Sequence, residues 1–270
     1  MAIITVSHGG ASGGVKLAED LSKRLGYKLV SREDIVREAA RFGVPEDMLK
    51  QALVRSLSFW DRLRHERRRY LAFVQAALCE HAASDNIVYY GNAGHLLLAG
   101  VSHVLCIRLI APLALRIKIA GERLNLSQDD AVPFIEQMDR ERQNWTRFLY
   151  GVDWLDPGLY DLTINLKTMD VAGAVEVAAA AAARPEFAPT DASRAAMSDL
   201  LLASRVRAAL ASDGRTASVD IAVRAGAGVV HLKGKLRSAS LVSAVMEVAE
   251  KVPGVTGLDR EELDALEVMV

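Results

Sequence analysis

Residues 2–31 read AIITVSHGGASGGVKLAEDLSKRLGYKLVS, which has the pattern of a strand, a glycine-rich turn, a helix and a second strand. The β-branched run at 2–7 is typical of a buried strand. Residues 15–25 place their apolar side chains on one helical face, and Gly26 follows where helices often end in a left-handed glycine. We therefore predict that the turn at 8–14 joins the first strand of an α/β sheet to its first helix.

Strands and helices continue to alternate as far as residue 183. The pattern predicts strands over 86–90, 104–110 and 160–166, and helical segments over 32–83, 113–125, 128–148 and 171–183. Ser31 and Asp34 have the spacing of a capping box, and Ser127 is a favourable N-cap. This alternation indicates an α/β fold in which a mostly parallel sheet is flanked by helices.

A change of composition follows. Residues 183–194 (ARPEFAPTDASR) contain two prolines and no apolar periodicity, which predicts a linker over 184–196 between a domain at 1–183 and a domain at 197–270. The later part reads as helix, strand, strand, helix and strand. We expect a small α+β unit of αββαβ order, near the lower size limit for an independent core.

Composition and charge exclude several classes of protein. Apolar residues make up 51% of the 270 residues and charged residues 25%, as in ordinary globular domains. The net charge of -1 excludes a whole-protein electrostatic grip on nucleic acid. No stretch approaches the ~20 apolar residues of a membrane span, and the first fourteen residues lack the features of a secretory signal. Two cysteines without ligand spacing complete the expectation of a reduced, cytoplasmic protein.

Two further patterns, an arginine-rich segment and the histidines, bear on chemistry. The segment 61–70 (DRLRHERRRY) is rich in arginine. Its aromatic neighbours Phe59, Trp60 and Tyr70 suggest nucleic-acid binding. We interpret it instead as a solvated helix, because five arginines in eight residues cannot share one narrow face; a contribution to an anionic substrate pocket is a further alternative. The six histidines form no HExxH or HxH pair, so no metal site is predicted.

The glycine-rich turn is the main candidate site. Backbone N–H groups of such a turn, together with the N-terminus of the following helix, can converge on a phosphate. Residues 9–14 satisfy the GxxxxG part of a phosphate loop, but Val15 and Lys16 follow where Lys and Ser/Thr are usual. Lys16 is thus one position late, which rotates it by ~100°, and Ser12 is the obvious hydroxyl for Mg²⁺. The alternative is a tight turn without a ligand. The predicted cofactor-binding residues are Gly9, Gly10, Ala11, Ser12, Gly13, Gly14, Val15 and Lys16.

The first 180 residues resemble the cytidylate kinase-like proteins, a P-loop group. The matching segments are SHGGASGGVKLAEDLSKRLGYKLVSREDIV, IVYYGNAGHLLL, RLIAPLALRIKIAGERLNLSQDDA and DRERQNWTRFLYGVDWLDPGLYDLTINLKTMDVAGAVE. In this register Ser12-Gly13-Gly14 match the family's S-G-G, so that Gly14 occupies the lysine position of an ordinary P-loop. His8, Ala11 and Val15 depart from the family pattern.

The resemblance implies transfer of the γ-phosphoryl group of ATP, with Mg²⁺, to a CMP- or dCMP-like monophosphate. It implies a set of catalytic residues, Arg116, Arg123, Asp139 and Arg142, and substrate-binding positions at Arg32 and Asn92. Asn92 stands where the family usually has the arginine that holds the acceptor phosphate. A second hypothesis is therefore a catalytically silent nucleotide sensor. A third is a structural or membrane-surface scaffold that binds no nucleotide.

Residues 198–265 resemble a BON domain. The positions that carry the resemblance are Ile221, Val223, Gly228, Val230, Leu232, Gly234, Gly254 and Val255. The alternating apolar residues would line one face of a sheet that two helices cover. The resemblance implies contact with a phospholipid, another ligand or a protein. The alternative is a small module that only folds or dimerises, and dimerisation would make the protein a homo-oligomer.

Overall fold

The computed structural model describes residues 2–42, 64–91 and 93–265. The strands of the first part of the chain are β1 (Ile3–His8), β2 (Lys28–Ser31), β3 (Ile87–Tyr90), β4 (Val104–Ile110) and β5 (Leu162–Asn165). Its helices are α1 (Gly14–Leu25), α2 (Arg32–Ala39), α3 (Arg64–Ala82), α4 (Gly94–Leu97), α5 (Leu113–Leu124), α6 (Gln128–Tyr150) and α7 (Val171–Ala182). The last part contains α8 (Asp191–Ser212), β6 (Ala222–Gly226), β7 (Val229–Leu236), α9 (Ala239–Glu250) and β8 (Gly257–Ala265).

The five strands β1–β5 form one parallel sheet in the order β2-β3-β1-β4-β5. The central strand β1 pairs with β3 on one side and β4 on the other, so that Ile4 lies opposite Val88 and Leu105. Ile3, Ile4 and Val6 are buried, as expected for a parallel strand that is covered on both faces. The predicted α/β fold with a parallel sheet flanked by helices is confirmed.

Helices α1 and α7 pack against each other and against this sheet. The buried residues at their contact are Leu17, Ala18, Leu21, Ala174, Val175 and Ala178. Gly26 ends α1 with φ 69°, the left-handed conformation that its sequence position predicts. The two predicted caps are also present. Ser31 and Asp34 each accept a hydrogen bond from the other's backbone N–H (3.0 and 2.9 Å), and Ser127 Oγ accepts one from Asp130 N–H (3.2 Å).

By its contacts the chain divides into two compact units. One comprises Met1–Asp34 and Ser84–Thr190, and the other comprises Ile35–Ala83 and Asp191–Val270. Helix α3, which falls within the predicted domain 1–183, is thus grouped with the C-terminal residues. Helix α8 begins at Asp191, inside the predicted linker 184–196. The boundaries at 183 and 197, which rest on the change of composition, stay a prediction.

The second unit contains the small sheet β6-β7-β8, in which β6 is antiparallel and β8 parallel to β7. Val206, Val230, Val245 and Ala249 are fully buried in its core. The predicted αββαβ order is confirmed. Helix α3 packs along α8, where Arg205 binds Glu80 through two hydrogen bonds of 2.6 and 2.8 Å. Among the described residues, no helix has the length and apolar character needed to cross a membrane.

Candidate functional site

The glycine-rich loop follows the carboxyl end of β1, the central strand. Ligands of open α/β sheets bind outside this edge of the sheet. The backbone is left-handed at Ala11 (φ 51°) and Gly13 (φ 87°), which turns the chain sharply into α1. Ser12 is buried, and its hydroxyl donates a hydrogen bond of 3.0 Å to the carbonyl of Gly9. The loop is therefore compact and held by its own side chain.

Arg116 of α5 and Asp139 of α6 meet on this loop. Arg116 Nε donates to the carbonyl of Gly10 (2.7 Å), and its two terminal nitrogens lie 2.8 and 2.9 Å from the two carboxylate oxygens of Asp139. Asp139 Oδ1 in turn accepts from the backbone N–H of Gly10 (2.9 Å). The three groups close a ring of charge-assisted hydrogen bonds, which are the stronger kind in proteins.

Arg142 lies one helical turn further along α6. It donates to the backbone carbonyl of His8, and its Nη1 lies 3.4 Å from His8 Nδ1. Burial, followed by the charge of Arg32, lowers the pKa of Arg142 to about 10. The guanidinium is still protonated at neutral pH. A buried cation, with a second one near it, makes this end of the site strongly electropositive.

His8 is a part of the site that sequence reasoning did not include among the site residues. With its proton on Nδ1 it donates to the carbonyl of Gly9 (2.9 Å). Burial and the charge of Arg142 lower its pKa to about 3, so that the ring is neutral at physiological pH. A Cβ at Gly14 would lie 2.2–2.5 Å from His8 Cβ, Cγ and Cδ2. The imidazole thus fills the space that a side chain at position 14 would enter.

The remaining predicted site residues lie apart from this cluster or at its edge. Lys16 is exposed, and its Nζ binds the carboxylate of Asp20 at 2.6 Å. Arg123 is exposed in the last turn of α5, two helical turns (about 10 Å) from Arg116. Arg32 is close enough to Arg142 to lower its pKa. Val15 is half-buried, and Asn92 lies outside the described residues.

A second polar cluster surrounds Ser7 of β1 and Arg108 of β4, near the carboxyl ends of these strands. Ser7 Oγ is 3.3 Å from Nδ1 of buried His95, whose ring centroid is 4.7 Å from that of Tyr160. Arg108 lies over the rings of Tyr160 and Trp154 at 5.7 and 5.2 Å. Burial lowers the pKa of His95 to about 4. The only signal for this cluster in the sequence is polar residues near strand ends, which is too weak to have found it.

No group of three or more acidic, histidine or cysteine side chains in the described ranges could hold a metal ion by itself. A Mg²⁺ ion that enters with substrate phosphates usually takes only one or two ligands from the protein. Ser12 is the hydroxyl that the loop offers, although here it donates to Gly9.

Comparison with known proteins identifies the family of the first part of the chain. The model of the cytidylate kinase-like family matches residues 3–168, more than half of the sequence. The chain belongs to the cytidylate kinase-like family. In addition, the BON domain model matches residues 198–262. Both resemblances that the sequence motifs suggested are therefore confirmed.

Relatives of this cytidylate kinase-like chain include archaeal proteins named cytidylate kinase. The one from Sulfolobus acidocaldarius is 32% identical over 164 residues, which are 60% of this chain and 84% of that protein. The one from Ignicoccus hospitalis is 28% identical over 179 residues, 65% of this chain and 96% of that protein. An uncharacterized protein from Eubacterium ventriosum has the same fold, with a TM-score of 0.55, 17% identity and coverage of 67% of this chain and 97% of its own.

Proposed function

We propose that this cytidylate kinase-like protein binds ATP at the glycine loop and transfers its γ-phosphoryl group to a nucleoside monophosphate of the CMP or dCMP type. The observation that carries the proposal is the convergence of Arg116 and Arg142 on the loop at the carboxyl end of β1. The relatives named cytidylate kinase support the choice of acceptor.

The chemistry of phosphoryl transfer explains why this convergence matters. The reaction depends on positioning and on neutralising the charge of the transferred group, and little covalent work is left to the protein. Arg116 and Arg142 provide planar, permanently charged forks that match phosphate oxygens. In the proposal Arg116, together with Arg123, neutralises the donor phosphates, whereas Arg142 and Arg32 hold the acceptor phosphate. Before the nucleotide binds, Asp139 orients Arg116 over the loop through the ion pair described above.

Two groups have a reduced role in the proposal. Lys16 is assigned no phosphate contact in this proposal, because its Nζ is bound to Asp20 on the exposed side of α1. Ser12 is the loop hydroxyl that would hold a Mg²⁺ ion bound to the phosphates of ATP, and such an ion would neutralise part of their charge.

The test is ADP release from ATP and Mg²⁺ with each nucleoside monophosphate in turn. We expect turnover that depends on the acceptor and is strongest with CMP or dCMP. Arg116→Ala and Arg142→Ala should each lower kcat/KM by about 10- to 100-fold, the effect of losing a hydrogen bond to a charged group. Lys118→Ala and Arg140→Ala are matched controls, because these cations lie on the exposed faces of the same helices. Unchanged turnover in both active-site variants would refute the assigned roles.

A catalytically silent nucleotide sensor is the second candidate, and a specific observation favours it. The neutral His8 ring occupies the space beside Gly14 where an ordinary P-loop carries its lysine. This candidate predicts that calorimetry detects ATP binding without turnover, and that the BON domain passes the bound state to a phospholipid or a protein. If ATP does not bind and residues 191–270 associate with liposomes, both nucleotide proposals are wrong and a scaffold role remains.

A further inference from the structure

The carboxylate of Asp139 occupies a position on the loop that suits a phosphate oxygen. A phosphate in a glycine loop accepts hydrogen bonds from backbone N–H groups and from nearby cations. Asp139 Oδ1 accepts from the N–H of Gly10 and from Nη2 of Arg116, both at 2.9 Å. One carboxylate oxygen therefore has a backbone donor and a guanidinium donor of the kind that a phosphate oxygen would use.

The loop has no space for a second anion at this point. A Cβ at Gly9 would lie 3.1 Å from both Asp139 Oδ1 and Arg116 Nη2, so these groups lie directly over the backbone. A Cβ at Gly10 would lie 3.1 Å from Met138 Cβ and 3.5 Å from the Ile135 carbonyl oxygen of α6. Gly9 and Gly10 are buried beneath this layer. A phosphate that reaches the N–H of Gly10 must displace the carboxylate.

The ion pair that would be broken is not deeply buried. The Asp139 side chain is 30% exposed and that of Arg116 is 14% exposed. Breaking a pair whose carboxylate already contacts solvent costs less than breaking a fully buried pair, because water can solvate the released charge. Displacing Asp139 into solvent is therefore feasible, and Arg116 gains a phosphate in place of a carboxylate.

We propose that the N–H of Gly10 and the guanidinium of Arg116 form a phosphate subsite, which Asp139 fills as an internal anion until a polyphosphate displaces it. The proposal deepens the proposed function, since it rests on nucleotide binding at this loop. It adds that Asp139 competes with the ligand. A residue that only orients Arg116 for the ligand would have the opposite effect when it is removed.

The test compares Asp139→Asn with the unaltered protein by calorimetry, using ATP, inorganic tripolyphosphate and adenosine as probes. The asparagine can still accept from Gly10 N–H but cannot pair with Arg116 as an ion. We expect ATP and tripolyphosphate to bind about tenfold more tightly to the variant, with adenosine binding unchanged. Glu136→Gln is the matched control, because it removes one negative charge from the exposed side of the same helix.

The outcomes separate this inference from the proposed function. Weaker or equal binding of tripolyphosphate to Asp139→Asn would overturn the inference, whereas ATP binding by the unaltered protein would leave the proposed function intact. Binding of polyphosphate only after the substitution would support the subsite even if the protein has no turnover. If neither protein binds ATP or tripolyphosphate, both ideas are wrong. Asp139→Ala provides a second variant if the asparagine protein does not fold.

Discussion

At the scale of single residues, the contact between His8 and Gly14 distinguishes this loop from an ordinary P-loop. The imidazole of His8 fills the space that a side chain at position 14 would need. The histidine at position 8 and the missing lysine at position 14 are therefore linked by packing. Placing lysine at position 14 would therefore require that His8 move first. A gain of activity from Gly14→Lys alone is not expected.

The change Gly14→Ala tests this contact directly. Because the new Cβ would come within 2.5 Å of three atoms of His8, we expect a loss of about 1–3 kcal/mol in the free energy of unfolding. Denaturant unfolding measures it. In the background of His8→Gly, which removes all three of these atoms, the cost of Gly14→Ala should fall markedly, and a double-mutant cycle shows this as a coupling energy.

Gly121→Ala is the control for this experiment. Gly121 also lies in a helix, but the nearest atom to its added Cβ is the Leu126 carbonyl oxygen at 3.4 Å. Alanine there should be neutral or stabilising by up to about 1 kcal/mol, because it lowers the entropy of the unfolded chain. If Gly14→Ala behaves in the same way, the His8 ring is not fixed against the loop.

At the scale of elements, α6 is the helix on which the site depends. It carries both Asp139 and Arg142, and its N-terminal half packs on α5 through Ala120, Ala131 and Ile135, with Ala11 of the loop against this small core. Ser127 is its N-cap, and its first turn contains Asp129 and Asp130. The negative charges of these two side chains interact favourably with the positive end of the helix dipole. The cap and the acidic first turn thus define where α6 begins, and its packing on α5 places it beside the glycine-rich loop.

The change Ser127→Ala tests the contribution of the cap. It removes the acceptor of the Asp130 N–H, so that we expect a loss of about 1 kcal/mol of stability. The readout is denaturant unfolding, accompanied by the helical circular dichroism signal. Ser127→Asp keeps an acceptor at the cap and should retain most of the stability. Equal losses in the two variants would show that the cap hydrogen bond does not matter.

The elements themselves were largely predictable from the sequence. The strand at 104–110, the helix that begins at residue 128 and the capping box at Ser31 were predicted as found, because each depends on periodicity or on hydrogen bonds within a few residues. The alternating apolar residues over 218–225 predict a strand there, whereas β6 begins only at Ala222. The first residues of the predicted strand have the β-branched character of a strand, but the ladder with β7 begins only at Ala222 opposite Lys233.

At the scale of the whole molecule, the family match and the contacts assign α3 to different domains. Helix α3 lies within the cytidylate kinase-like match by sequence, and by contacts it belongs to the unit that contains the BON match. It contributes buried residues such as Phe73 and Cys79, and Glu80 binds Arg205 of α8. A fragment cut at the predicted boundary would therefore lack one of the helices with which α8 packs.

We expect a fragment of residues 191–270 to unfold at a lower denaturant concentration than the same fragment mixed with a peptide of residues 64–83. The physical reason is that α8 exposes an apolar surface when α3 is missing. Denaturant unfolding with and without the peptide measures the difference. A peptide with Glu80→Arg is the control, because it places like charges together at Arg205 and should stabilise less. No effect of either peptide would argue that the fragment is complete without α3.

The order of strands and helices, the caps, the glycine-rich turn and both family resemblances were predictable from the sequence, because each depends on residues that are close along the chain. Which of the candidate residues lie together depended on tertiary packing. Arg116 and Asp139 come to Gly10 from more than 100 residues away, and Lys16, which is six residues from Gly10, turns to Asp20 instead. The physical reason is that a helix directs each side chain by its position in the turn, whereas the packing of α5 and α6 on the loop determines which of those side chains reach it.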